Sequence, residues 1–156
     1  MDKNSDIKVT SKPMNILLAE DNEADVKITL RAFSGSKFKN NIYVVKNGQE
    51  VLDFIYNCGK YQDRYRFPAP HLVILDINMP GVDGFGVLEK LKKDPKYNFI
   101  PIIMLTSSKD ENDVLRSYKS GANSFIQKPL DYKEFAKIVD GFSFYWCHIN
   151  RLPSGA

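Results

Sequence analysis

Cysteine is scarce in this 156-residue sequence: Cys58 and Cys147 are the only two, far apart and outside any CxxC pairing. Their isolation excludes a zinc-finger arrangement and a disulfide framework, and suits a reducing compartment. Blocks of like charge are also missing, since 22 Lys and Arg are interspersed with 19 Asp and Glu and leave a net charge of +3. Such a balance carries no nucleic-acid or anionic-lipid footprint. Nor do the first residues hold an apolar run; Met1 to Pro13 mix Lys, Asp, Ser and Asn, unlike a signal peptide or membrane anchor. The expectation is a disordered segment over 1–13 and a cytoplasmic protein that binds neither DNA nor membrane.

What is present is 43% hydrophobic residues, enough for one core and one domain. Apolar runs of strand length occur at Met14–Ala19, Asn41–Val45, His71–Leu75, Pro101–Leu105 and Ser124–Gln127. Several are apolar nearly throughout, as strands covered on both faces are. Helical spacing fills the gaps: Glu23–Phe33, Gly48–Tyr56, Phe85–Lys93, Glu111–Ser120 and Tyr132–His148. Asp110 and Asp131 stand at N-cap positions, while Gly35 and Gly121 stand where helices end. Strand–helix alternation repeated five times, with right-handed crossovers, predicts an α/β, doubly wound five-stranded parallel sheet of order 2-1-3-4-5. In that order ligands bind beyond the carboxyl ends of the first and third strands.

Glu20 and Asp21 follow the first strand and Asp76 follows the third, so the topology gathers three carboxylates in one crevice. Two such charges about 5 Å apart repel by roughly 3 kcal/mol at an effective dielectric near 20, which calls for raised pKa values or a cation. Hard oxygen ligands that leave room for water and a phosphate oxygen suit Mg²⁺. Thr106-Ser107 and Lys128-Pro129 end the fourth and fifth strands and bring a hydroxyl and an ammonium to the same edge. A phosphoryl group on a carboxylate needs that set of partners.

The stretches LLAEDN (17–22), LVILDINMPGVDGFGVL (72–88), PIIMLTSS (101–108) and GANSFIQKPL (121–130), in that order, resemble the receiver domains of two-component response regulators. The likeness covers about Asn15 to Phe142 and implies a flavodoxin-like (βα)5 fold with an extended C-terminal helix. It further implies that Asp76 is the phosphoacceptor, that Glu20, Asp21, Asp76 and the Asn78 carbonyl hold Mg²⁺, and that Thr106 and Lys128 contact the phosphoryl group. Where the family often has two aspartates, this chain has Glu20-Asp21. A cis Lys128–Pro129 bond is also implied. The domain plan is then 14–146 for the receiver and 147–156 for a C-terminal tail, with no effector domain. The protein is expected to be a signalling phosphoacceptor, with a sensor histidine kinase as partner, and not an enzyme in the ordinary sense.

In NMPGVDG, Pro80, Gly81 and Gly84 form a turn that carries the backbone past the crevice. Attraction of the Thr106 hydroxyl to a phosphoryl group would draw the following loop inward and free space for Phe125. That makes Thr106 and Phe125 a candidate switch for the surface formed by the fourth helix, fifth strand and fifth helix; Phe125 as a plain core residue is the alternative. In the last helix, Phe135, Ile138, Phe142, Tyr145 and Ile149 form a stripe that Val139 and Trp146 widen, with Phe144 opposite. The stripe is either a core face or a contact with a kinase or a second copy, and a homodimer through this region is expected. Together with the long connection Gly59–Pro70, the tail resembles stand-alone regulators of phytochrome-type histidine kinases.

Two other readings fit less well. A haloacid-dehalogenase-type phosphatase would need a second acid where Asn78 stands, and an acidic pair after its nucleophile. A flavin or nucleotide binder would need glycine in the first turn, which reads AEDNEAD and would repel phosphate without a metal.

Overall fold

The computed structural model describes residues 13–153. Five strands, β1 (Met14–Ala19), β2 (Asn40–Val45), β3 (Leu72–Leu75), β4 (Ile102–Thr106) and β5 (Ser124–Gln127), form one parallel sheet in the order β2-β1-β3-β4-β5. Five α-helices follow them in turn: α1 (Glu23–Ser34), α2 (Gly48–Tyr56), α3 (Gly84–Lys93), α4 (Glu111–Lys119) and α5 (Tyr132–Phe144). Of the expected lead-in over 1–13 only Pro13 is among the described residues.

Each helix begins on an Asn or Asp whose side chain accepts an N–H of the first turn: Asn22, Asn47, Asp83, Asp110 and Asp131. These caps satisfy donors that the helices cannot use internally. The end of α4 is equally defined. Gly121 takes φ +105°, Ala122 N–H donates to the Ser117 carbonyl and Gly121 N–H to that of Tyr118, which is a Schellman stop.

Because strand side chains alternate, the sheet has two apolar faces. Leu17, Ala19, Val73, Leu75, Ile102 and Met104 pack with α2 and α3, whereas Ile16, Leu18, Leu72, Ile74, Ile103 and Leu105 pack with α1 and α5. The connection after α2 has its own order. A 3-10 turn at Gly59–Tyr61 leads to a cluster of Tyr61, Phe67 and Phe54 with ring centroids 5.1 to 5.9 Å apart. Arg64 then donates to the Phe54 and Ile55 carbonyls at the end of α2.

Two expectations need correction. Every peptide bond of the described residues is trans, Lys128–Pro129 included. Trans is the ordinary state of an X–Pro bond, favoured by about 0.5–1 kcal/mol, and the Lys128 N–H is held on the Thr106 carbonyl at 2.8 Å with that geometry. The last helix also departs from a continuous α-helix to His148: after Phe144 it widens into a π-helical turn, Tyr145–Ile149. Its buried side is Phe135, Val139 and Ser143, with Phe142, Trp146 and Cys147 packed half-buried on the same cluster. Tyr145 and Ile149, read as part of the apolar stripe, are 48% and 57% exposed. Helix α1 ends at Ser34, and beyond it Phe38 packs on Phe144 and His148, with ring centroids 5.7 and 6.0 Å apart, not on Tyr145 or Ile149.

Candidate functional site

Parallel register is what assembles the site. Ala19 lies opposite Leu75 and Leu75 opposite Met104, so β1, β3 and β4 run out together. The strand hydrogen bonding continues one step further, with Asp76 N–H on the Ala19 carbonyl (3.2 Å), Glu20 N–H on that of Val45 (3.0 Å) and Lys128 N–H on that of Thr106 (2.8 Å). Glu20, Asp76, Thr106 and Lys128 are therefore fixed through their backbones before any side chain interacts.

Glu20, Asp21 and Asp76 each present a carboxylate oxygen within 4.8 Å of the others. Glu20 and Asp76 are 3% and 9% exposed, while Asp21 is at the surface. Lys128 Nζ lies 2.6 Å from Glu20 Oε2 and 3.7 Å from Asp25 Oδ2. The other Glu20 oxygen accepts the Asn22 N–H at 3.1 Å. Burial pushes the Glu20 carboxyl above its ordinary range, and the Asp76 charge adds to the rise, against the lowering pull of Lys128. Three carboxylates against one ammonium leave two formal negative charges in an all-oxygen cluster. That donor set fits a hard divalent cation such as Mg²⁺.

Of the remaining predicted residues, Asn78 is tied to the cluster, while Thr106 and Phe125 lie on the neighbouring strands β4 and β5. Asp76 Oδ1 accepts the Asn78 N–H at 3.3 Å. Thr106 is fully buried, and its Oγ1 accepts the Ser108 N–H at 3.3 Å. Phe125 is half-buried against the cluster that carries α2 and α3. In the β3–α3 turn Gly81 has φ +72°, and a Cβ at Gly84 would stand 2.3 Å from the Asp76 carbonyl oxygen; only glycine lets α3 begin that close to the crevice. Gly48 plays the matching part from α2, where a Cβ would meet the Val82 carbonyl at 2.1 Å.

Residues 16–140 match the response regulator receiver domain family. The chain belongs to that family. Among relatives of this receiver domain, response regulator Rcp1 of Synechocystis sp. is 31% identical over 145 residues, which span 93% of this chain and 97% of that protein. The structure of the phosphorylated cyanobacterial phytochrome response regulator RcpA matches with a TM-score of 0.84 at 31% identity, covering 92% of this chain and all (100%) of that one. The Mn²⁺-bound form of Rcp1 matches with a TM-score of 0.82 at 32% identity, covering 91% and 100%. Phytochrome response regulators are thus among the homologues of this receiver, and its strand order is theirs.

Sequence reasoning overlooked Asp25, the second acid near Lys128, and the side-chain ties of Ser108. Asp25 carried one signal: an acid in the first turn after an Asn cap.

Proposed function

We propose that this chain is a single-domain response regulator that accepts a phosphoryl group on Asp76 from a sensor histidine kinase, in a reaction that depends on Mg²⁺. The observation that carries this reading is the cluster of Glu20, Asp21 and Asp76 oxygens flanked by the Lys128 ammonium. An Asp76 oxygen attacks phosphorus as the bond to the donor's nitrogen breaks, so the charge on the phosphoryl oxygens must be met on several sides. Lys128 supplies a cation and the Thr106 hydroxyl a donor at the end of the neighbouring strand. Glu20, Asp21, Asp76 and the Asn78 carbonyl would hold Mg²⁺, which supplies further neutralisation of the phosphoryl oxygens. Water attack on the resulting acyl phosphate returns the carboxylate.

The likeness to RcpA and Rcp1 supports a phytochrome-type kinase as partner. No helix of the described residues is long and apolar enough to cross a membrane, consistent with the cytoplasm as the place of action. Output would pass through the α4-β5-α5 surface, with Thr106 and Phe125 as the switch, to another protein instead of DNA. Exposed Phe144, Tyr145 and Ile149 at the end of α5 support a homodimer through that region.

Incubation with acetyl phosphate and Mg²⁺ tests the centre of this reading. Intact mass should rise by one phosphoryl group, the rise should need the divalent cation, and Asp76→Asn should abolish it. Incorporation that persists in Asp76→Asn or after chelation would sink the assignment.

A further inference from the structure

At the amino edge of the sheet, opposite the carboxylates, lies a cleft of about 650 Å³. The chain entering β3 and β4 lines it, together with the end of α2 and the rings of Tyr97 and Phe99 in the α3–β4 connection. Arg64, His71 and Lys96 line the cleft as well, and no Asp or Glu does. Neither Arg64 nor Lys96 is paired with a carboxylate among the described residues. Arg64 instead donates to the carbonyls of Phe54 at 3.0 Å, Phe67 at 3.4 Å and Ile55, so its charge meets dipoles alone. His71 Nδ1 accepts the Asn15 N–H at 2.8 Å, which leaves the ring proton on Nε2. Burial pushes the His71 pKa below its ordinary value, so at neutral pH this ring is an uncharged donor.

We propose that this cleft binds a small planar aromatic anion, its ring against Tyr97 and Phe99 and its charged group toward Lys96. The inference goes beyond the phosphoacceptor reading and does not depend on it, since no residue of that site lines the cleft. Three physical points support it. The volume falls in the range of about 300–1,000 Å³ usual for small-molecule sites, which join apolar and aromatic walls to a few polar groups. Charge of one sign without an acid to offset it favours an anion. The Lys96 ammonium stands 5.3 Å from the Tyr97 ring centroid, so one ligand can meet the aromatic wall and the cation together. An anion without a ring would leave that wall in water, and a ring without a charge would leave the cations unmatched. The cleft is also built in advance. Tyr97 packs edge-on against Tyr56 with ring centroids 5.2 Å apart, and the Arg64 bonds with the Phe54, Tyr61 and Phe67 rings hold the connection after α2 in place. Binding therefore pays little for ordering the protein.

The test titrates the whole chain with two fluorescent probes that share their rings and differ by one charged group, anilinonaphthalene sulfonate and the uncharged N-phenylnaphthylamine. The sulfonate should bind saturably, one per chain, and about tenfold more tightly than the uncharged probe. Backbone amide shifts on its addition should centre on His71 and on Lys96 to Ile100. Lys96 and Phe99 are both exposed, so replacing them should leave the fold intact. Lys96→Gln should weaken the sulfonate by about fivefold and leave the uncharged probe unchanged. Phe99→Ala should weaken both. Excess inorganic phosphate should displace neither. Equal affinity for the two probes, shifts centred elsewhere, or a sulfonate affinity that survives Lys96→Gln and Phe99→Ala would each overturn the proposal. Displacement by phosphate would overturn it too, because the cleft would then read charge alone. So would a signal per chain that falls as the protein is concentrated, which would make a second copy the occupant.

Discussion

At the carboxyl edge of the sheet, residues from four strand ends meet because parallel register aligns their backbones, whereas from Phe142 to Ile149 an aromatic-rich run divides between core and solvent. Edge residues are chosen by charge and hydrogen bonding; Glu20 is buried against Lys128 at 2.6 Å even though burial pushes its carboxyl up. Tail residues are chosen by shape, as in the edge-to-face contact of Phe33 and Phe142 at 5.9 Å between ring centroids. The difference implies that function and stability can be altered separately. Substitutions at the buried residues of α5 and the run that follows should destabilise the protein without touching the chemistry, and those at the edge should do the reverse.

The strongest attempt to break that contrast is Phe135→Ala. Phe135 is 4% exposed beneath α1 and the second sheet face, and emptying such a site costs about 3–5 kcal/mol. Urea unfolding should show a loss of that size. The folded fraction should still accept one phosphoryl group at Asp76. A variant that stays stable, or one that is folded yet inert, would mean the two regions are coupled through the sheet.

Glu20→Gln is the converse and its effect on stability is smaller. A neutral isostere removes the desolvation penalty and the repulsion from Asp76 but leaves Lys128 with only Asp25 at 3.7 Å, so the two effects oppose each other. Because the folded state raises this carboxyl above its ordinary value of 4.5, it binds protons more tightly than the unfolded chain does. Its favourable contribution is therefore present below pH 4.5 and is lost as pH rises through the folded-state value. At neutral pH without divalent cation, Glu20→Gln should unfold within about 1 kcal/mol of the parent or slightly above it. Mg²⁺ should then raise the parent's midpoint by mass action and raise the variant's far less. Equal stabilisation of both by Mg²⁺ would remove Glu20 from the ligand set.

The same contrast explains what the sequence disclosed. Strand identity and order were legible because β1, β3 and β4 are nearly all apolar, and their order placed Glu20, Asp21, Asp76, Thr106 and Lys128 at one edge before any contact was known. Asp110 and Asp131 were legible as caps by residue type, while Asn22, Asn47 and Asp83 do the same work without having been singled out. Lys128's pairing with Glu20 and its approach to Asp25 depend on side-chain rotamers, which register does not determine. In α5 the apolar residues satisfy two overlapping stripes that share Phe135 and Phe142. Spacing alone cannot choose between Ile138 with Tyr145 and Val139 with Trp146. Packing against α1 chooses the second pair, and the π-helical turn that follows has no marker in residue type.

That choice sharpens the smallest prediction, which concerns Tyr145. Trp146 packs on the core beside Phe142, with ring centroids 6.3 Å apart, so Trp146→Ala would mix lost packing with any lost contact between chains. Tyr145 is 48% exposed and Ile149 57% exposed, and trimming either should change stability by no more than about 0.5 kcal/mol, as for other surface positions. If this end of α5 joins two copies, Tyr145→Ala combined with Ile149→Ser should still move the mass seen by light scattering from dimer to monomer. The cost would then appear in association alone. A parent chain that is already monomeric, or a double variant that stays dimeric, would leave these side chains as solvated ends of a helix whose core contacts are made by Trp146 and Cys147.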